Sequence, residues 1–263
     1  MGFFDKKYCD FCGAKIGLLG NRKLEDGNMC KDCAKKLSPW FSERRRSTKA
    51  DIRKQLSYRE ENQRAVASFH ATRTLGVNTK VILDEDHRKF MVTDQSDLKK
   101  ANPDVLDYSQ VTGCEFNIDE NRIEKFHENK KGETVSYNPP RYDYSYSFEI
   151  IIRVNHPYFS EIRFPLGFSV DTDETPMGAV SFAGAANFRS TGGRFSGGVS
   201  EYQERVKMGN EIKTVVDGMR KEIRKEIKEQ KAPKTASVCP YCGATTIPDA
   251  NGCCEYCGSA LKG

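Results

Sequence analysis

Cys9-Asp10-Phe11-Cys12-Gly13 and, with seventeen residues between Cys12 and Cys30, Cys30-Lys31-Asp32-Cys33 form two Cys-x-x-Cys pairs. Their separation is that of a four-cysteine metal site. Each short loop turns its amides toward the thiolates, and Gly13 lets the chain double back. Lys15 to Leu19 and Arg22 to Glu25 read as hairpin strands around Gly20-Asn21, and Asp26-Gly27 is a second turn signal before the distal pair. The spacing predicts a zinc ribbon over residues 1–37, with Cys9, Cys12, Cys30 and Cys33 as ligands.

The far end repeats the device. Cys239-Pro240-Tyr241-Cys242-Gly243 and, with eleven residues between Cys242 and Cys254, Cys254-Glu255-Tyr256-Cys257-Gly258 predict a smaller ribbon over 239–263, with a hairpin strand at Thr245 to Ile247. Cys239, Cys242, Cys254 and Cys257 are the expected ligands, and Cys253 is a bystander because only Cys254 keeps the two-residue spacing to Cys257. A ribbon of about 25 residues cannot bury enough apolar surface to fold unaided, so metal binding energy substitutes for a core. Both sites have four cysteines and leave no coordination position for a reacting water, which makes them structural. Two zinc ions, one per cluster, are expected, with iron of the rubredoxin kind as the alternative that thiolate ligands also suit. Cys-Pro-Tyr-Cys also resembles the redox site of glutaredoxins, but that chemistry needs a β-α-β setting which this stretch lacks.

The remaining composition fits a multidomain chain. It has 263 residues, 37% hydrophobic and 30% charged, with a mean hydropathy of −0.67. Length alone suggests about two domains, and the low apolar fraction suggests extensive solvated surface. The ten cysteines, without an apolar leader, point to a reducing, cytoplasmic setting in which paired thiols bind metal rather than form disulfides. No window reaches the roughly 18 apolar residues of a membrane span. The formal charge of +5 is concentrated in the first quarter, and each loaded tetrathiolate site would subtract two charges. A high isoelectric point is therefore no argument for nucleic acid.

After the first ribbon, residues 38–68 form a basic helical connector. Ser38-Pro39 is a helix-start signal, and Thr48 with Asp51 opens a longer helix whose apolar positions are sparse. Arg44, Arg45, Arg46, Lys49 and Arg53 could hold a phosphate backbone. A solvated face laced with ion pairs explains the same charges, and Trp40, Phe41 and Tyr58 are too few for a base-stacking platform.

From Phe69 the texture becomes alternating and β-branched. Strands are expected at Thr79 to Leu83, Lys89 to Thr93, Val105 to Tyr108, Val111 to Ile118, Ile123 to Phe126, Tyr146 to Val154 and Glu161 to Pro165, with no helix between them. A long amphipathic helix follows to about residue 231, carrying Tyr202, Val206, Ile212, Val216, Met219, Ile223 and Ile227 on one face. The fold class is α+β multidomain: a small β barrel over 69–231 covered by its C-terminal helix and flanked by the two ribbons. Val105 to Phe116 resembles the strand pair of bacterial pleckstrin-homology-like domains, which implies that type of barrel, with Cys114 a buried strand residue. Gly178 to Gly198 reads as a flexible Gly-rich insertion, and 232–238 has linker composition. Asn138-Pro139-Pro140-Arg141-Tyr142 matches a WW-domain ligand but reads more simply as a rigid turn between strands.

The N-terminal pattern, Cys9 to Cys33 with Lys15-Ile16-Gly17-Leu18-Leu19 and Leu24-Glu25-Asp26-Gly27, resembles an uncharacterised bacterial family, domain of unknown function 4428. The resemblance implies zinc at Cys9, Cys12, Cys30 and Cys33 and no activity. No phosphate loop, nucleophile elbow or His-Glu-x-x-His is present, and His70, His87, His127 and His156 stand apart in sequence. The expected function is that of a non-enzymatic, zinc-binding cytoplasmic adaptor for a protein or peptide. Nucleic-acid binding through the first ribbon and basic segment is the alternative.

Overall fold

A computed structural model describes residues 7–172, 197–231, 236–249 and 252–261. The chain forms two compact units, residues 1–220 and 221–263. The first unit opens with two minimal hairpins. β1 (Lys7–Tyr8) pairs with β2 (Lys15–Ile16), and β3 (Arg22–Lys23) with β4 (Asn28–Met29), before one turn of helix α1 (Lys31–Ala34). Ile16, Leu24, Met29 and Leu37 bury themselves with Cys9 and Cys33 against Ile52 of the next helix, with Phe41 and Leu56 at the margin. The ribbon therefore completes its core with a residue outside its own hairpins. Ser38-Pro39 does not start a helix; the chain makes a 3-10 turn at Glu43–Arg46 instead.

Helix α2 (Lys49–Ser68) begins as its sequence dictates. The Thr48 hydroxyl accepts from the Asp51 amide, and the Asp51 carboxylate accepts from the Thr48 amide at 3.1 Å, which closes a capping box. Its buried stripe is Ile52, Gln55, Arg59, Asn62 and Val66, a helical spacing filled largely by polar side chains. Their partners lie in the loop at 102–105. Arg59 donates to Asp104 at 2.6 Å, to the Asn102 carbonyl and, through Nε, to the Lys36 carbonyl at 3.2 Å. Asn62 donates to the Pro103 carbonyl at 2.7 Å and accepts from the Val105 amide at 2.9 Å. Ser38 and Tyr58 hydroxyls complete the shell of Asp104. The ribbon, α2 and the β region thus meet on one buried carboxylate.

β5 (Arg73–Gly76), β6 (Lys80–Asp84) and β7 (Lys89–Thr93) make an antiparallel meander, which β8 (Leu106–Asp107) extends after the short helix α3 (Leu98–Ala101). The expectation of a helix-free stretch fails at α3 and at a 3-10 turn over Tyr108–Gln110, where polar residues cap their own turns. The second sheet is built on β9 (Val111–Glu128) and β10 (Thr134–Val154), with β11 (Glu161–Pro165) and β12 (Val170–Thr172) both pairing with β10. The two stretches expected at 111–118 and 123–126 are one strand. Its polar middle, Asp119 to Arg122, is exposed, so alternation carries no signal there. The Asn138 to Arg141 segment is not a turn between strands; it is a register shift inside β10 between Ser136 and Arg141. The two four-stranded sheets share no ladder, and no closed barrel forms among the described residues.

Helix α4 (Gly197–Lys231) follows, and its part within the first unit packs on both sheets. Tyr202 packs on Tyr146 and Phe148, Arg73 pairs with Glu211 at 2.7 Å, and Gly209 admits the ring of Phe116. Tyr202, Ile212, Val216 and Met219 are buried, whereas Ile227 is exposed. Cys114 is buried in β9 as expected, and burial pushes its thiol up to about 12. In the second unit, β13 (Ser237–Val238) pairs with β14 (Thr245–Thr246). The Gly-rich insertion at 178–198 lies almost wholly outside the described residues, as does most of the 232–238 linker.

Candidate metal centres

Three of the four Cys-x-x-Cys loops have the same backbone. In each, the amide of the glycine after the second cysteine donates to the first cysteine's carbonyl: Gly13 to Cys9 at 2.9 Å, Gly243 to Cys239 at 2.9 Å, Gly258 to Cys254 at 2.8 Å. These glycines sit at φ 70°, 74° and 70°, left-handed backbone that a Cβ would strain. The fourth loop has Ala34 in that place and closes as helix α1, with Cys30 as its N-cap. Sequence alone marked this difference only as a missing glycine.

The loops converge in two groups, Cys9, Cys12, Cys30 and Cys33, and Cys239, Cys242, Cys254 and Cys257, whose Sγ atoms lie within 4.8 Å of one another. Among the described residues these are the groups of three or more His, Cys, Asp or Glu side chains able to hold a metal ion. Measured edges are 3.7 Å for Cys12–Cys30, 3.6 Å for Cys239–Cys257 and 3.7 Å for Cys242–Cys254. A tetrahedron with metal–sulfur bonds of about 2.3 Å has edges of about 3.8 Å, so the donor sets fit a tetrahedral thiophilic cation. The second group includes Cys254 and not Cys253, whose amide donates to Asp249 instead.

Electrostatics makes the same demand. Burial raises the Cys9 thiol, but amide donors led by Cys30 at 3.3 Å outweigh it and bring Cys9 down to about 6, whereas Cys33 is pushed well above the thiol range by burial and by its neighbouring sulfurs. In the second group the Ser259 hydroxyl and amide hold Cys257 at about 6. The Ala244 amide favours the Cys242 thiolate, yet burial and the neighbouring cysteines raise it to about 12. Four thiolates this close repel one another, and a dication removes the conflict.

The five connector cations are placed differently, with Arg53 exposed on α2. Lys49 approaches Asp10 at 3.9 Å and Arg46 approaches Glu43 at 3.4 Å, while Arg44 and Arg45 turn toward the β3–β4 hairpin. Arg59 of the same tract is buried. Sequence reasoning missed that role because a polar stripe has no apolar period.

Residues 7–55 match the family model described as a domain of unknown function, DUF4428. The DUF4428 stretch contains the whole first cysteine group and the start of α2, and it ends three residues after Ile52, the helix residue buried in the ribbon core. The N-terminal resemblance read from Cys9 to Cys33 is to this same domain. No curated protein and no solved structure matches the chain. No helix among the described residues is long and apolar enough to cross a membrane.

Proposed function

We propose that the chain is a non-enzymatic cytoplasmic adaptor in which two zinc ions build the terminal modules and the exposed end of the β9–β10 hairpin recognises a protein or peptide. Tetrahedral sulfur edges and reduced, paired thiols support zinc. Zinc would be held by the eight cysteines with no reacting position. A thiol oxidoreductase needs an accessible leading cysteine, and Cys239 is only 1% exposed. Two antiparallel sheets with a helix laid across them support a pleckstrin-homology-like kinship for the middle segment, with the sheets left open.

The observation that carries the adaptor reading is the hairpin end. Ile123 and Phe126 of β9 are 60% and 55% exposed, and on β10 the half-buried Tyr142 and Tyr144, paired with Glu124 and Arg122, hold their rings 6.3 Å apart. Arg122 stacks over Tyr142 at 4.6 Å. Rigid aromatic surface beside arginine is the composition of binding hot spots. Panning a displayed peptide library against the zinc-loaded protein tests this. Enriched peptides should bind Ile123→Ser and Phe126→Ser at least about tenfold more weakly, the scale of hot-spot loss. Equal binding to those variants, or no enrichment, overturns it.

A further inference from the structure

The hairpin β3–β4 and the 3-10 turn at Glu43–Arg46 enclose a concavity of about 690 Å³ whose wall carries Arg22, Lys23, Arg44 and Arg45 and a single carboxylate, Glu25. Two local features put these cations together. Asp26-Gly27 turns the hairpin back, and the Glu25 amide donates to the Ser47 carbonyl at 3.0 Å, which ties that turn to the chain just after the arginine run. The positive charge is unpaid: none of the four cations makes an ion pair among the described residues, whereas neighbouring Arg46 is engaged by Glu43. Arg44 is half-buried, and burial together with Arg22 and Arg45 holds its guanidinium below its usual range. Like charges crowded on a concave wall raise the free energy of the empty protein, and an anion relieves it.

We propose that this concavity is an oligophosphate site, in which Arg22, Lys23, Arg44 and Arg45 hold two or more linked phosphate groups. Charge balance sets the size of the ligand. Four cations against Glu25 leave a surplus of three, and one phosphate monoester brings only about −1.5 to −2. A diphosphate or triphosphate matches the surplus, and its oxygens suit the forked donors of three guanidiniums. Phosphate, and not a base, is what is recognised, because no aromatic side chain lines the wall. A nucleic-acid backbone would need cations spread along a track, but Lys49 approaches Asp10, Arg46 approaches Glu43, and Arg44 and Arg45 meet Arg22 and Lys23 at one hollow. The site is independent of the hairpin end proposed as the peptide surface.

The test is calorimetric titration of the full-length, zinc-loaded protein with pyrophosphate and tripolyphosphate in magnesium-free buffer, with zinc content measured before and after. Saturable binding is expected, weakened about tenfold or more by Arg22→Gln or Arg45→Gln, the usual worth of a charge-assisted hydrogen bond, and hardly changed by Arg64→Gln on α2. Unchanged melting temperatures separate lost binding from lost fold. ADP and ATP form the second arm: affinity equal to the inorganic ligands assigns oligophosphate itself, and tighter affinity with the same variant losses assigns a nucleotide. The proposal is overturned by absence of saturable binding, by equal losses in Arg64→Gln, or by heat that tracks zinc extraction alike in wild type and variants. Duplex DNA that binds more tightly than tripolyphosphate, with Arg53→Gln costing as much as Arg45→Gln, also overturns it.

Discussion

Arg59 of helix α2 and Asp104 of the loop before β8 form a 2.6 Å ion pair whose side chains are 6% and 0% exposed. The pair is fully hydrogen-bonded, so its value lies less in Coulomb attraction than in what remains if one partner goes. Arg59→Met strands a buried carboxylate with only the Ser38 and Tyr58 hydroxyls, and should cost about 3–5 kcal/mol. Urea unfolding of the two proteins measures it. A loss under about 1 kcal/mol, the size of an exposed pair, would mean that water reaches Asp104.

Metal content gives the next expectation. Protein purified without added metal should carry two zinc ions, Cys9→Ser and Cys254→Ser one each, and Cys253→Ser two, because only Cys254 belongs to the second group. Chelation should unfold the terminal modules, and acidification should release metal as the thiolates protonate. Elemental mass spectrometry with thiol titration reads the first set, and circular dichroism the second. Iron in place of zinc would keep the geometry and change the assignment.

Gln55 is completely buried, and neither its Nε2 nor its Oε1 has a protein partner. Removing an unsatisfied amide while keeping its shape relieves a desolvation penalty, so Gln55→Met should stabilise the fold by about 1–3 kcal/mol. Thermal denaturation decides. A lower melting temperature would reveal that an ordered water satisfies the amide.

The ring of Phe116 occupies the space a side chain at Gly209 would fill. Gly209→Ala should therefore cost about 1–3 kcal/mol by overpacking, despite alanine's better helix propensity. Adding Phe116→Leu should recover part of the loss. If the single variant is more stable than wild type, α4 sits further from β9 than the structure shows.

Asp84 supplies the pH dependence. Burial alone would raise its carboxyl, but the His70 and His87 amides at 2.9 and 3.0 Å and the His87 ring hold it below the usual carboxylate range. The unfolded chain then binds more protons than the native one in acid, so stability rises with pH there. The contribution should be complete above the unfolded value of about 3.9 and disappear as pH falls through the lower native one. The stability gap between wild type and Asp84→Ala should shrink across that acid window. A gap independent of pH would assign the effect to packing.

Much of this protein was legible in its residues because the relevant interactions are local. The Cys-x-x-Cys-Gly loops, the Thr48–Asp51 capping box and the hairpin across Lys80 to Thr93 each close within a few positions. The strand at 161–165 is legible to its ends because one face is buried and alternation shows it, and the one at 89–93 because its apolar run is buried on both faces. The 119–122 segment was not, since both faces of the hairpin there meet water and polarity no longer reports conformation.

By itself, the sequence determined the two four-cysteine groups and the start of α2, since spacing and capping chemistry need no distant partner. Only the tertiary structure decided that Arg59 belongs to the interior, that Arg22 stands beside Arg44, and that the sheets remain separate. The physical reason is common to the two arginine placements. Hydrophobic period reports burial only when the buried groups are apolar, and these contacts are polar or electrostatic ones whose partners lie tens of residues away along the chain.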